Sequence, residues 1–204
     1  LLADSIELTA TDTSFIDAVV GTVSVALGIG GFGLSVSVVV SLAHNEVDNG
    51  VAAYIANAGA GTQNVATRAG GAITIHAAED ATIHAFGVGA SLALAAGALA
   101  TSIAFGGAFV DNVILSKTGA YIVNSVIDSG GAVDLKATDT SKIDATVGAV
   151  AVAAGAGVAA VSLAIGVATA QNLIGYNADG SVNANEVKAY IQDSKLDADG
   201  ALSI

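Results

Sequence analysis

The side chains able to do chemistry are few, and their spacing narrows what that chemistry could be. His44, His76 and His84 are the whole histidine complement, and imidazole is the usual metal ligand and proton carrier near neutral pH. Two of them fall within an internal repeat, where His76 takes the place of Thr9 and Lys136, and His84 that of Asp17 and Asp144. Positions that accept Thr, Lys, Asp or His in turn read as a solvated strand face. The acid pairs Asp12/Asp17 and Asp139/Asp144 could serve as general acid and base. They also recur from unit to unit, whereas an active site is formed once, so they read as hydrophilic rows. No Ser/His/Asp spacing and no GxxxxGK[ST] phosphate loop is present. The chain is not expected to be an enzyme.

The sharpest local motif is residues 175–186, GYNADGSVNANE, which overlays a twelve-residue Ca²⁺ loop. Asn177 and Asp179 fall at ligand positions three and five, Gly180 at the sharp turn and Ser181 at the backbone-carbonyl position. Val182 takes the apolar position and Glu186 the bidentate one. Gly175 stands where the first Asp is expected, and the flanks do not read as helices, so a hydrated surface loop is the simpler reading. Asn177, Asp179, Ser181 and Glu186 are therefore the candidate Ca²⁺ ligands in a chain that requires no cofactor. The corner Asp197-Ala-Asp199-Gly200 reads as a β-turn.

What must position such residues is an unusual scaffold. The 204 residues are 53% apolar and only 12% charged, which excludes disorder. Aromatics are 4%, there are 25 Gly, and Cys, Pro, Met and Trp are absent. Interiors of small side chains require elements that approach closely over long distances, which suits a repetitive scaffold better than a globule around a cleft. The net charge of −12 argues against nucleic acid or anionic lipid as a partner. Absence of Cys removes disulfides and thiolate chemistry and fits an exported protein stabilised by repetition. The opening Leu-Leu-Ala-Asp-Ser, with no Met and no basic stretch before an apolar one, suggests a processed or excised segment.

Self-similarity carries most of the information. Residues 8–30 align without gaps to 135–157, with sixteen of 23 positions identical, and 73–97 fits the same frame. Asn45, Asn112 and Asn172 each close an apolar run, and Tyr54-Ile55, Tyr121-Ile122 and Tyr190-Ile191 open the next segment. Ile6 to Ile73 is 67 residues, Ile73 to Val133 is 60, and Val133 to Leu202 is 69. A base period of 60 thus carries insertions of seven and nine, placed at 56–70 and 175–187. They leave the flanking pattern in phase, as loops on the edge of a stack do. The chain divides into repeat 1 (6–72), repeat 2 (73–132), repeat 3 (133–201) and the start of repeat 4 (202–204), all in one solenoid segment.

In the charged half of each unit, Val133, Leu135 and Ala137 alternate with Asp134 and Lys136, and Ile143 and Ala145 alternate with Lys142 and Asp144. Short strands with inward β-branched residues and Asp/Thr/Gly corners predict an all-β parallel β-solenoid of about 60-residue repeats. Ile16, Ile83, Ile143, Val133 and Leu135 are its expected packing residues. Asn45, Asn112 and Asn172 are expected at coil corners, bonding the backbone of the turn. The other half is harder to read. Residues 18–43, 85–110 and 145–177 hold no Asp, Glu, Lys or Arg, and each is long enough to cross a bilayer. Strict alternation (Val23, Val25, Leu27, Ile29; Leu34, Val36, Val38, Val40) and dense Gly, Ser and Thr favour strands buried on both faces, either within a two-layer solenoid or between neighbouring molecules. A buried Gly/Ala-packed helix and true membrane insertion are the alternatives.

Written out, the unit A-Y-I-x-x-S-x-(I/L), a Gly corner, (V/L)-x-(L/I)-x-A-x-D-x-S-x-I-x-A, then Gly/Ala/Val runs ending in Asn, resembles the repeats of large leukotoxin-like bacterial filamentous adhesins. More distantly it is similar to filamentous-haemagglutinin β-helices. The resemblance covers essentially the whole chain. It implies export to the cell surface or medium and a structural or adhesive shaft, with neighbouring repeats and further copies of the chain as partners. It carries over no catalytic or receptor-binding residue. A membrane-inserting or pore-forming toxin segment is the competing function, built on the three charge-free runs.

Overall fold

A computed structural model describes residues 2–59 and 67–204. The first coil comprises β1 (Leu2–Ala3), β2 (Ile6–Asp12), β3 (Phe15–Ile29) and β4 (Phe32–Ala56). The second comprises β5 (Thr67–Ala69), β6 (Ile73–Glu79), β7 (Thr82–Ala96) and β8 (Leu99–Val123). The third comprises β9 (Val126–Ser129), β10 (Val133–Asp139), β11 (Lys142–Ala156), β12 (Ala159–Ile174) and β13 (Glu186–Gln192), and β14 (Lys195–Ala198) and β15 (Leu202–Ser203) follow. No helix occurs among the described residues, so the helical reading of the charge-free runs is set aside.

Equivalent strands of successive coils pair parallel and build four sheets: β1-β5-β9-β14, β2-β6-β10-β15, β3-β7-β11, and β4-β8 continued by β12 and β13. Ile6 pairs with Ile73, Ile73 with Val133, and Val133 with Leu202. One repeat is therefore one coil, and the chain is a parallel β-solenoid. The register also locates the insertions. Ala56 still pairs with Val123, and Thr67 already pairs with Ile127, so the first lies between Ala56 and Thr67; its residues 60–66 lie outside those described. The second lies between Ile174 and Glu186, where the offset changes from 60 to 69.

Each coil is a flattened loop. The 25-residue strand β8, about 80 Å long at ~3.3 Å per residue, forms one side; β7 and β6 lie end to end along the other. At the β6 end the inward residues are large, and Ile73, Ile75, Ile122, Ile127, Val133 and Leu135 form an apolar core with the partly buried Leu8 and Ile191. This end is the body. Ile83, with Val47, Val110 and Ile114, makes a second cluster at the neck, against which Ile16 and Ile143 pack. The five packing residues named from sequence thus lie inward.

Beyond the neck, β7 and the first half of β8 form a fin whose interior is built from small residues. Ala85, Gly87, Gly89, Ser91, Ala93 and Ala95 on β7 are buried, as are Ala100, Ser102, Ala104, Gly106 and Ala108 on β8. A Cβ on Gly89 would collide with the Gly107 carbonyl oxygen, and one on Gly106 would sit 2.5 Å from the Val150 oxygen. The two sheets therefore approach more closely than ordinary packed sheets. Within one chain the fin strands are therefore covered on one face only. Val23 is 77% exposed and Leu34 64% exposed, with Val25, Leu27, Ile29, Val36, Val38 and Val40 also exposed. The parity that faces inward is the small one.

The corners follow a second rule. Asn57, Asn124 and Asp193 occupy the left-handed region (φ 59, 47 and 48) at the same corner of successive coils, where Asn and Asp are the tolerated non-glycine residues. Asn45, Asn112 and Asn172, expected at corners, instead sit inside β4, β8 and β12.

Candidate functional site

Two kinds of surface could act on something outside the chain: the polar rows of the body and neck, and the bare fin. The polar rows are side-chain ladders whose rungs come from equivalent positions of successive coils. Asn45 Nδ2 donates to Asn112 Oδ1 at 2.8 Å, and Asn112 Nδ2 to Asn172 Oδ1 at 2.8 Å, so each buried amide is satisfied by the coil above or below rather than by a turn. Tyr54, Tyr121 and Tyr190 stack with centroids 4.9 and 5.1 Å apart. Burial, then the neighbouring Tyr190 and Tyr54, pushes the Tyr121 hydroxyl above its usual range.

The histidines sit in such rows as well. His76 Nε2 lies 2.6 Å from Asp134 Oδ2. That contact, with a Ser203 hydrogen bond, holds the Asp134 carboxyl below its usual range. His84 packs edge-on against Phe15, 5.2 Å between centroids, and pairs in register with Asp17 and Asp144. His44 Nδ1 lies 3.0 Å from Asp111 Oδ2 and Nε2 lies 3.4 Å from Glu46 Oε2. Among the described residues, no group of three or more His, Asp or Glu side chains is arranged to hold a metal ion.

Residues 175–185 form a closed turn stabilised by their own polar groups. Asn177 N donates to the Ser181 carbonyl at 2.9 Å, and Asn177 Nδ2 to Ser181 Oγ at 2.8 Å. Ser181 N donates to Asp179 Oδ1 at 2.8 Å, and bonding to Ser181 holds the Asp179 carboxyl below its usual range. Gly175 (φ +77) and Gly180 (φ +81) take the left-handed conformations that let the loop close. The structure thus brings Asn177, Asp179 and Ser181 together. Glu186 stands apart at the start of β13, where Lys188 Nζ lies 2.7 Å from its carboxylate and holds its pKa down.

The one cluster that sequence reasoning passed over is at the corner between β6 and β7. Asp12, Glu79 and Asp139 stack in register there. Glu79 is 2% exposed; Asn49 Nδ2 donates to its Oε1 at 3.1 Å, and its Oε2 has no partner. Burial raises the Glu79 pKa, the Asn49 bond opposes this, and the Asp12 and Asp139 charges add to it. The sequence signal was the Glu at a position where the other repeats carry Asp: a longer side chain reaches inward from an otherwise solvated row.

The fin is defined by sharp borders. Asp17, His84 and Asp144 cross one face at the neck, and His44, Asp111 and Gln171 cross the other at the same height. From there to the tip turns at Gly30-Gly31, Gly97-Ala98 and Gly157-Val158, no charged residue occurs. Inside, hydroxyls bond across the gap: Ser37 Oγ donates to Ser24 O at 3.0 Å, and Ser91 Oγ to Ser37 O at 2.9 Å. At the tip, Gly30 N donates to Ala96 O at 3.1 Å and Leu99 N to Gly31 O at 3.2 Å, so these turns are also bonded coil to coil.

Comparison of the chain with family models, with curated proteins and with solved structures gives no match.

Proposed function

We propose that the chain serves as a section of a structural or adhesive β-solenoid shaft in a large secreted or cell-surface filamentous protein. The observation that carries this reading is the unbroken parallel register of four sheets over three coils, combined with long strand edges at both ends of the stack. Such edges present rows of free N–H and C=O groups that another coil of the same kind satisfies. Stability then grows with coil number, because each added coil contributes one more interface. The adhesin-like repeat pattern and the absence of cysteine support an extracellular setting. The reading calls for no cofactor, and Ca²⁺ at the Asn177–Ser181 loop would stiffen an edge without building the stack.

The shaft so formed is a ribbon: a coil about 80 Å long adds only ~4.8 Å along the stacking axis. Chains of three, six and nine repeats, imaged by electron microscopy, are expected to lengthen by about 4.8 Å per repeat at constant width. Lengthening by several times that amount, or growth in the width of a single shaft, would refute one coil per repeat.

A further inference from the structure

The fin exposes apolar surface on a scale that monomers avoid. Its outward face on the β4/β8/β12 side carries Val36, Ile103 and Leu163 in one cross-coil row and Val38, Phe105 and Ile165 in the next. Three strands spaced ~4.8 Å apart and about 12 residues long give a face of roughly 40 by 14 Å, or about 570 Å². The opposite face, bearing Val25, Leu92 and Val152 in one row, adds the same again. The largest apolar patch on a typical monomer is about 300–600 Å² in total.

We propose that the fin is a lateral assembly surface whose occupant is the fin of a second copy, with fins interleaved from opposite sides and each covered on both faces. This deepens the shaft reading, on which it rests, by assigning the surface through which shafts bundle. Area decides the stoichiometry. A stable interface buries about 800 Å² per partner, so a pair joined through one fin face of three coils is weak, whereas a fin held between two others buries about twice the area of one face. Assembly therefore runs past the dimer and strengthens with coil number.

Charge and thickness decide the orientation. The chain's net −12 resides outside the fins, so fins stacked in the same direction would place acidic bodies side by side, and alternation separates them. The bodies, filled with Ile, Val and Leu, are thicker than the Gly/Ala/Ser-filled fins. Alternation allows each body the room of two fins.

A bilayer fits less well. A fin about 40 Å tall exceeds the ~30 Å hydrocarbon thickness. Its tip, where Val158 is 96% exposed, has no polar side chain for the far headgroup layer. Trp, a common interfacial anchor, is absent from the chain.

The test is sedimentation of the full chain over a concentration series in lipid-free buffer. Wild type is expected to form species larger than a dimer. Leu92→Lys, which charges one face, should prevent growth past a weakly held pair, and adding Ile103→Lys should leave a monomer with an unchanged β-type spectrum. Should the double variant fail to fold, Ile103→Thr tests the same face, because Thr101 and Thr169 already occupy outward positions of that sheet. It should raise the half-assembly concentration at least tenfold. A monomeric wild type that floats with phosphatidylcholine vesicles would overturn the proposal in favour of lipid, as would a folded double variant that still assembles. The absence of Cys makes orientation testable too. Mixed Ala98→Cys and Asp111→Cys chains should cross-link tip to neck; tip-to-tip bridging in preference would overturn the interleaved arrangement. A six-repeat chain that keeps the 4.8 Å rise yet never bundles would sink this inference alone and leave the shaft standing.

Discussion

Glu79 is the residue at which the fold works against its own chemistry. A carboxyl buried among Asp12, Asn49 and Asp139, with Oε2 unpartnered, holds its proton more tightly than it does in the unfolded chain. The folded state therefore binds more protons than the unfolded state between the ordinary carboxylate range and the raised value. Stability from this group is fully present below that range and falls as pH rises through the window. Glu79→Gln should raise the melting temperature at pH 7 and change it less at pH 4, as followed by circular dichroism. A lower melting temperature at pH 7, or a larger gain at pH 4, would show that the charged carboxylate is the stabilised form. The sequence showed Glu79 only as a variant rung in an acidic row. Its burial depends on Asn49 arriving from β4, a contact 30 residues away that no local pattern encodes. The asparagines illustrate the converse. Asn45, Asn112 and Asn172 were legible as architectural, but not as a mid-strand ladder, because a ladder needs the register before it has rungs.

At the scale of elements, alternation and period were legible, and parity was not. The body alternates apolar with charged residues, so Val133, Leu135 and Ile143 could be placed inward from the sequence. In the fin both parities are uncharged, one large and one small, and the usual preference for burying large residues points the wrong way. The close approach of β7 to β8 reverses it: glycines such as Gly89 and Gly106 leave room only for small inward neighbours. The large outward residues recover part of their contact from the same row in adjacent coils, and Ile103, between Val36 and Leu163, is 37% exposed against their 52% and 50%. Substitutions at adjacent positions of β7 test this parity. Ala93→Leu, at a fully buried inward site, should destabilise by about 1–3 kcal/mol through overpacking. Leu92→Ala, outward, should stay within about 1 kcal/mol in a dilute chemical-denaturation series. The reverse order would mean that Leu92 faces in. The two insertions were legible for a different reason: they shift the count without disturbing the pattern on either side, which only edge loops can do.

For the whole molecule, a coil of about 60 residues that advances the stack by one strand spacing makes a ribbon with two unlike margins. The body margin is acidic, corner-rich and carries the loop at 175–185; the fin margin is bare. Its dimensions were not legible, because the sequence specifies the period without saying how many times the chain turns within it. Long strands of 15 and 25 residues resolve this, since they leave room for one turn only. The most direct measurement of that arrangement uses paired cysteines in a chain that has none. Asp128 and Asp197 are exposed, 69 residues apart in sequence, and directly paired in parallel register between β9 and β14. At the ~4.8 Å strand spacing, Asp128→Cys with Asp197→Cys should be bridged rapidly within the monomer by a short bifunctional thiol reagent. Asp128→Cys with Lys195→Cys, two positions out of register, should react far more slowly. Equal rates for the two pairs, or no bridging in the folded monomer, would contradict one coil per repeat.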